Sequence, residues 1–155
     1  MNLFENNGAE FSEDRKYRYA LHRIWDANLP LVAFVGLNPS TANETSDDPT
    51  IRRVKAFAKG WGYGGFYMLN LFAFVTPYPD ELKKCENPIG DNDEWLQKVG
   101  GKCERIIFAY GNFDVFGRDK EVAKMFTDVY CLGRNKNGSP KHPLYLSGST
   151  QMEKF

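Results

Sequence analysis

The sequence predicts an α/β fold: a three-layer α/β/α arrangement with a mostly parallel, four-stranded central sheet, plus an N-terminal antiparallel strand. Three observations predict it. The runs "LVAFVG" (31–36), "GFYMLNLFAFV" (65–75) and "ERIIFAYG" (104–111) have the unbroken apolar character of strands buried on both faces. Segments of helical period lie between them, and strands alternating with helices of this length indicate a parallel sheet covered on both sides. At 155 residues the chain is read as a single domain, 1–155, long enough to bury a core without metals or disulfides.

Taken in order, residues 1–14 are polar and acidic and read as a mobile or peripheral start. "KYRYALHRIWD" alternates Tyr17, Tyr19 and Leu21 with polar residues, the pattern of a half-buried strand. "ANLP" would turn it into 31–36 as an antiparallel hairpin. "DDPTIRRVKAFAKGWG" is helical: Asp47 or Asp48 can cap it, Pro49 suits its first turn, and Ile51, Val54, Phe57 and Ala58 share a face that stops at Gly60. After the second buried strand a Pro-rich segment leads to "DNDEWLQKVGG", a helix with Asp91 or Asn92 in front and Gly100-Gly101 behind. "ERIIFAYG" is the third strand, "GRDKEVAKMFTD" the next helix and "VYCLG" the fourth strand, before the loop "RNKNGSPKHPLYLSGST".

The bulk numbers narrow the function classes. Twenty basic and twenty acidic residues balance to zero, against the basic excess of a dedicated duplex-DNA binder. Cys85, Cys103 and Cys131 show no metal-ligand spacing, and Cys103 and Cys131 flank or lie within apolar runs as buried thiols do, so no metal or other cofactor is implied. No run approaches the ~18 apolar residues of a membrane span, and the start has no signal-peptide pattern. The expected location is cytoplasmic, with no membrane partner. The glycines of "GWGYGGF" precede a strand, whereas the dinucleotide fingerprint follows one.

In a parallel sheet, ligands bind beyond the carboxyl ends of the strands. The loops leaving the four strands are "GLNPSTA", "NLFAFVTP", "AYGNF" and "GRNKNGSPKHP", which would gather Asn38, Asn70, Asn112 and His142 at one edge. Gly36, Ser40, Thr41 and Asp48 belong to the first of these exits, and Phe72 to the second. Asn38 is either a turn residue before Pro39 or a ligand-facing amide. Asn70 sits in an apolar strand, where its amide needs a partner from a ligand or a neighbouring loop. Asp48 is a helix cap or a site residue. Phe72 is core or a stacking ring for a base. Arg52 and Arg53 are a solvated helix face or, in part, a phosphate clamp, which guanidinium geometry favours.

The signature "VGLNPSTA…DDPTIRR…WGYGGFYMLNLFAF…NPIGDND…AYG…CLG…GSPKHPLYL" resembles the domain-of-unknown-function family 1643 of bacteria and phages, over residues 17–147. More distantly, "GLNP", "YMLNLFAF" and "HPLYLS" are similar to motifs of the uracil-DNA glycosylase superfamily. That resemblance implies a four-stranded parallel sheet between helices, in which Asn38 positions a water, Asn70 reads a base edge and His142 stabilises charge on the leaving base. The sequence departs from the superfamily in having Asn rather than Asp in the first motif and His-Pro-Leu in place of His-Pro-Ser. "DPTIRR" has no clear counterpart there. The resulting expectation is a nucleobase-containing ligand, nucleotide or DNA/RNA, and an N-glycosidic hydrolase. The alternatives are a non-catalytic nucleotide or nucleic-acid binding module and, built on Arg52 and Arg53, chemistry on a phosphorylated small molecule.

Overall fold

The computed structural model describes residues 5–155. Its described residues form one mixed sheet of seven strands with three α-helices: β1 (Asn6–Phe11), β2 (Arg18–Ile24), β3 (Leu31–Gly36), α1 (Pro49–Gly60), β4 (Gly65–Asn70), α2 (Asn92–Gly100), β5 (Arg105–Phe108), α3 (Arg118–Ala123), β6 (Val129–Cys131) and β7 (Glu153–Lys154). Short 3-10 helices occupy Pro79–Lys83 and Pro143–Tyr145. The strand order is β1-β2-β4-β3-β5-β6-β7.

The four strands β4, β3, β5 and β6 are parallel to one another. Antiparallel strands extend this block at both ends, so a four-stranded sheet underestimates what forms. β2 joins β4, β1 joins β2, and β7 joins β6. The start of the chain is peripheral, but 6–11 is a paired strand and not a mobile lead; residues 1–4 lie outside the described residues.

The expected hairpin between β2 and β3 does not form. β3 is flanked by β4 and β5, and β2 pairs with β4. The reason is burial: β3 is apolar on both faces, and the centre of the sheet satisfies both. Its alternate residues divide between two cores. Val32 and Phe34 pack with Ile51, Val54, Phe57 and Ala58 of α1, while Ala33 and Val35 pack with Leu96 and Val99 of α2 and Val122 of α3. Helix α1 therefore covers one face and α2 with α3 the other.

Local chemistry sets the helix ends. Asp48 caps α1 by accepting from the Ile51 N–H at 2.9 Å, and Pro49 follows at a position with no N–H to satisfy. Asn92 opens α2 and donates through Nδ2 to the carbonyls of Asn70 (2.8 Å) and Leu71 (3.2 Å), tying that helix to the exit of β4. Among the described residues no helix is long and apolar enough to cross a membrane.

Candidate functional site

The parallel strands deliver their carboxyl ends to one edge, and the exits there are laced together. Leu71 N–H donates to Gly36 O (2.9 Å), Phe72 N–H to Leu37 O (3.0 Å) and Thr76 N–H to Pro39 O (3.0 Å). Asn38 Nδ2 donates to the carbonyls of Thr76 (2.8 Å), Pro39 (3.0 Å) and Phe74 (3.4 Å). Three acceptors around one amide nitrogen fix its orientation, so Oδ1 is the end left for a ligand.

These loops, β2 and the N-terminus of α1 enclose a cleft of about 180 Å³. Gly36, Asn38, Ser40, Asp48, Asn70 and His142 all line it, as do Arg18, Thr50, Thr76 and Phe113. Gly36 lies in close approach to two side chains. A methyl group there would come within 2.6 Å of Met68 Cε and 2.9 Å of Asn70 Oδ1, so the missing side chain is what lets Asn70 lie across the end of β3.

Asn70 is 2% exposed, and its Nδ2 has no partner among the described residues. An unmet buried donor of this kind costs about 1–3 kcal/mol. His142 arrives by a different route. After β6 the chain turns at Gly133 (φ 114°) and returns, with Lys141 N–H donating to Gly133 O at 2.9 Å. His142 Nδ1 accepts from the Leu144 N–H at 3.2 Å, so the neutral ring carries its proton on Nε2. Burial pushes the imidazole below its ordinary value of 6.5, only partly opposed by the Asp48 carboxylate. At neutral pH His142 is an uncharged donor.

Arg18, Thr50, Thr76 and Phe113 are cleft residues that sequence reasoning missed, and Arg18 is the charged one. It is 3% exposed, donates from Nη1 to Ala42 O at 3.0 Å, and leaves Nε unpartnered. Desolvation lowers its guanidinium to about 10, with Asp48 acting in the opposite direction, so it stays charged at neutral pH. The alternation of 17–21 reads Arg18 as the solvent-facing half of a strand, yet Arg18 and the three residues after it are all buried, where a charge needs a reason.

The remaining candidates lie elsewhere. Arg52 is exposed and donates to Asp47 O at 3.0 Å. Arg53 lies over the Phe57 ring and donates to Leu146 O, fastening the loop after His142 to α1. Neither arginine lines the cleft. Thr41 is exposed and Phe72 is core, edge-on to Phe116. Asn112 lines a neighbouring apolar hollow with Leu144, Tyr145 and Leu146, which shares Phe113 and His142 with the cleft. Exposed rings stand around this edge: Tyr78, Phe113, Phe116 and Tyr145, the last 91% exposed. Among the described residues no three His, Cys, Asp or Glu side chains gather to hold a metal ion.

A family model described as "Protein of unknown function (DUF1643)" matches residues 18–144. No curated protein and no solved structure matches the chain.

Proposed function

We propose, for a chain that belongs to the DUF1643 family, that the cleft recognises a nucleobase-containing ligand and hydrolyses its N-glycosidic bond. The observation that carries this reading is the orphaned Nδ2 of Asn70, buried in the same cleft as the uncharged Nε2 donor of His142. Two neutral, fixed donors suit the carbonyl oxygens of a base, and they suit them better as the base departs with the electron pair of the broken bond. Asn38 Oδ1 accepts from the water that attacks the sugar carbon, and the water's proton leaves to solvent. An amide takes up no proton, so the hydrolysis is slow compared with one driven by a carboxylate base. The parallel strands with helices on both faces, and the positions of Asn38, Asn70 and His142 on three strand exits, support the likeness to uracil-DNA glycosylases.

A second reading, a nucleotide-binding module without hydrolysis, is favoured by one observation. The Asn38 amide is already engaged by three loop carbonyls, a sufficient structural use for it.

The test is release of free base, detected by mass, from nucleotides and from single- and double-stranded oligonucleotides carrying uracil, mismatches and modified bases. The expected result is release by the wild type that Asn70→Leu and His142→Gln each reduce about tenfold or more, the loss of one donor's transition-state contribution. No release from any substrate, with ligand-dependent stabilisation instead, selects the binding module.

A further inference from the structure

The cleft contains a charge that no counter-charge among the described residues balances at ion-pair distance. Arg18 has its Nη1 occupied by Ala42 O, while Nε is without a partner and Nη2 makes no hydrogen bond to any described residue. Nε and Nη2 form the edge of the guanidinium that grips two oxygens of one anion. No carboxylate approaches Arg18 within ion-pair distance among the described residues.

A second, independent feature points the same way. The twelve-residue helix α1 directs its N-terminus at this cleft, where Asp48, Thr50 and Ile51 form part of the wall. The Ile51 N–H is taken by the Asp48 cap, but the Thr50 N–H is one of the first-turn donors that helix geometry leaves unpaired. The positive end of the helix therefore adds to the guanidinium, and Ser40 and Thr50 line the same wall. Asp48 is the one carboxylate there, and it works against an anion.

We infer that the Arg18 end of the cleft is an anion subsite for a terminal phosphate group, so that the ligand is a phosphomonoester rather than a nucleoside or an internal position of a strand. A diester must leave its phosphorus on two sides. The Arg18 side chain is almost wholly buried in the wall of a cleft of about 180 Å³, so little room is left for chain to continue on both sides of a bound phosphorus. The nucleobase part of this statement rests on the function proposed above; the phosphate part does not. The phosphate role expected of Arg52 and Arg53 thus passes to a residue on β2.

The test is calorimetric titration of wild type, Arg18→Gln, Arg18→Lys and Asp48→Asn. The probes are inorganic phosphate, the common nucleosides, their 5′-monophosphates, and a short oligonucleotide with and without a 5′-phosphate. Monophosphates are expected to bind the wild type roughly tenfold or more tightly than nucleosides, equivalent to one charge-assisted contact. Arg18→Gln removes that difference, and Arg18→Lys retains only part of it, because an ammonium lacks the two-pronged edge. Asp48→Asn tightens binding of phosphate, since it removes the opposing charge and Asn still caps the helix.

Arg18→Lys and Asp48→Asn shift affinity in opposite directions, so a folding failure of Arg18→Gln does not blunt the test. Preference for the 5′-phosphorylated oligonucleotide over the monomer assigns the subsite to strand ends, and the reverse to free nucleotides. Phosphate binding that depends on Arg18 without any nucleoside binding upholds the subsite and overturns the nucleobase reading. Equal binding of nucleosides and monophosphates, or a difference that persists in Arg18→Gln, overturns the subsite.

Discussion

Two buried arginines lie five residues apart on β2, and they are treated in opposite ways. Arg23, 1% exposed, is saturated. Its Nε donates to Asp47 Oδ1 at 2.9 Å, Nη1 to His22 O at 2.9 Å and Gly8 O at 3.4 Å, and Nη2 to Asn43 O at 2.6 Å and Ser46 O at 3.3 Å. It pins the long 37–48 loop to the sheet. Arg18, on the same strand, has one carbonyl and no ion pair, and it faces the cleft. A third buried arginine, Arg118, resembles Arg23 in donating to Leu71 O and to the carboxylates of Asp93 and Glu121. Arg23 and Arg118 use their donors on structure. A buried guanidinium that keeps them free carries an unmet desolvation cost, which a ligand removes.

The comparison can be broken first at Arg23. Arg23→Met strands Asp47 and four loop or strand carbonyls, and costs about 3 kcal/mol, the lower end for a broken buried pair because Asp47 is partly exposed. Urea denaturation measures it; a loss below about 1 kcal/mol would deny the saturated network its structural role. Gly36→Ala is next. Its methyl collides with Met68 Cε and Asn70 Oδ1, costs about 1–3 kcal/mol by overpacking, and displaces the Asn70 amide, so ligand-dependent stabilisation disappears along with it.

Arg18→Met sharpens the contrast. Replacing an unpaired buried charge with an apolar chain of similar length changes stability by less than about 1 kcal/mol or raises it, while phosphate no longer shifts the unfolding transition. A destabilisation equal to that of Arg23→Met would place Arg18 in the structural class.

The smallest effect is on pH dependence. His142 and His22 both have folded-state values held below 6.5, chiefly by burial. The unfolded chain therefore takes up these protons first as the pH falls. Stability is full above about pH 6.5 and declines below it until the lower folded-state values are passed. Unfolding curves at a series of pH values should show this decline, and His142→Gln should make it shallower.

Much of this arrangement was legible in the sequence because it depends on short-range chemistry. The apolar runs marked β3, β4 and β5, Asp48-Pro49 marked the start of α1, and the strand exits named Gly36, Asn38, Asn70 and His142, which share one cleft. What escaped depends on pairing between distant segments. "NNGAEF" has little strand propensity, and β1 forms because β2 offers it an open edge. The two-residue β7 leaves no pattern at all. The hairpin between β2 and β3 was the local solution, displaced by the burial that both faces of β3 demand. Arg18 looked like the polar half of an alternating strand. Arg52 and Arg53 stood between a solvated helix face and a phosphate clamp, because adjacent helix residues point in different directions and sequence does not say which one faces the loops; neither lines the cleft.

The most direct measurement is the thermal unfolding of wild type and Asn70→Leu across a panel of nucleosides, nucleotides and short oligonucleotides. The leucine variant is expected to be at least as stable as the wild type, because the change removes an unsatisfied buried amide. At least one nucleobase-containing compound should raise the wild-type midpoint and leave Asn70→Leu unmoved. No shift with any compound, or equal shifts in the two proteins, would contradict the assignment of this cleft to a nucleobase.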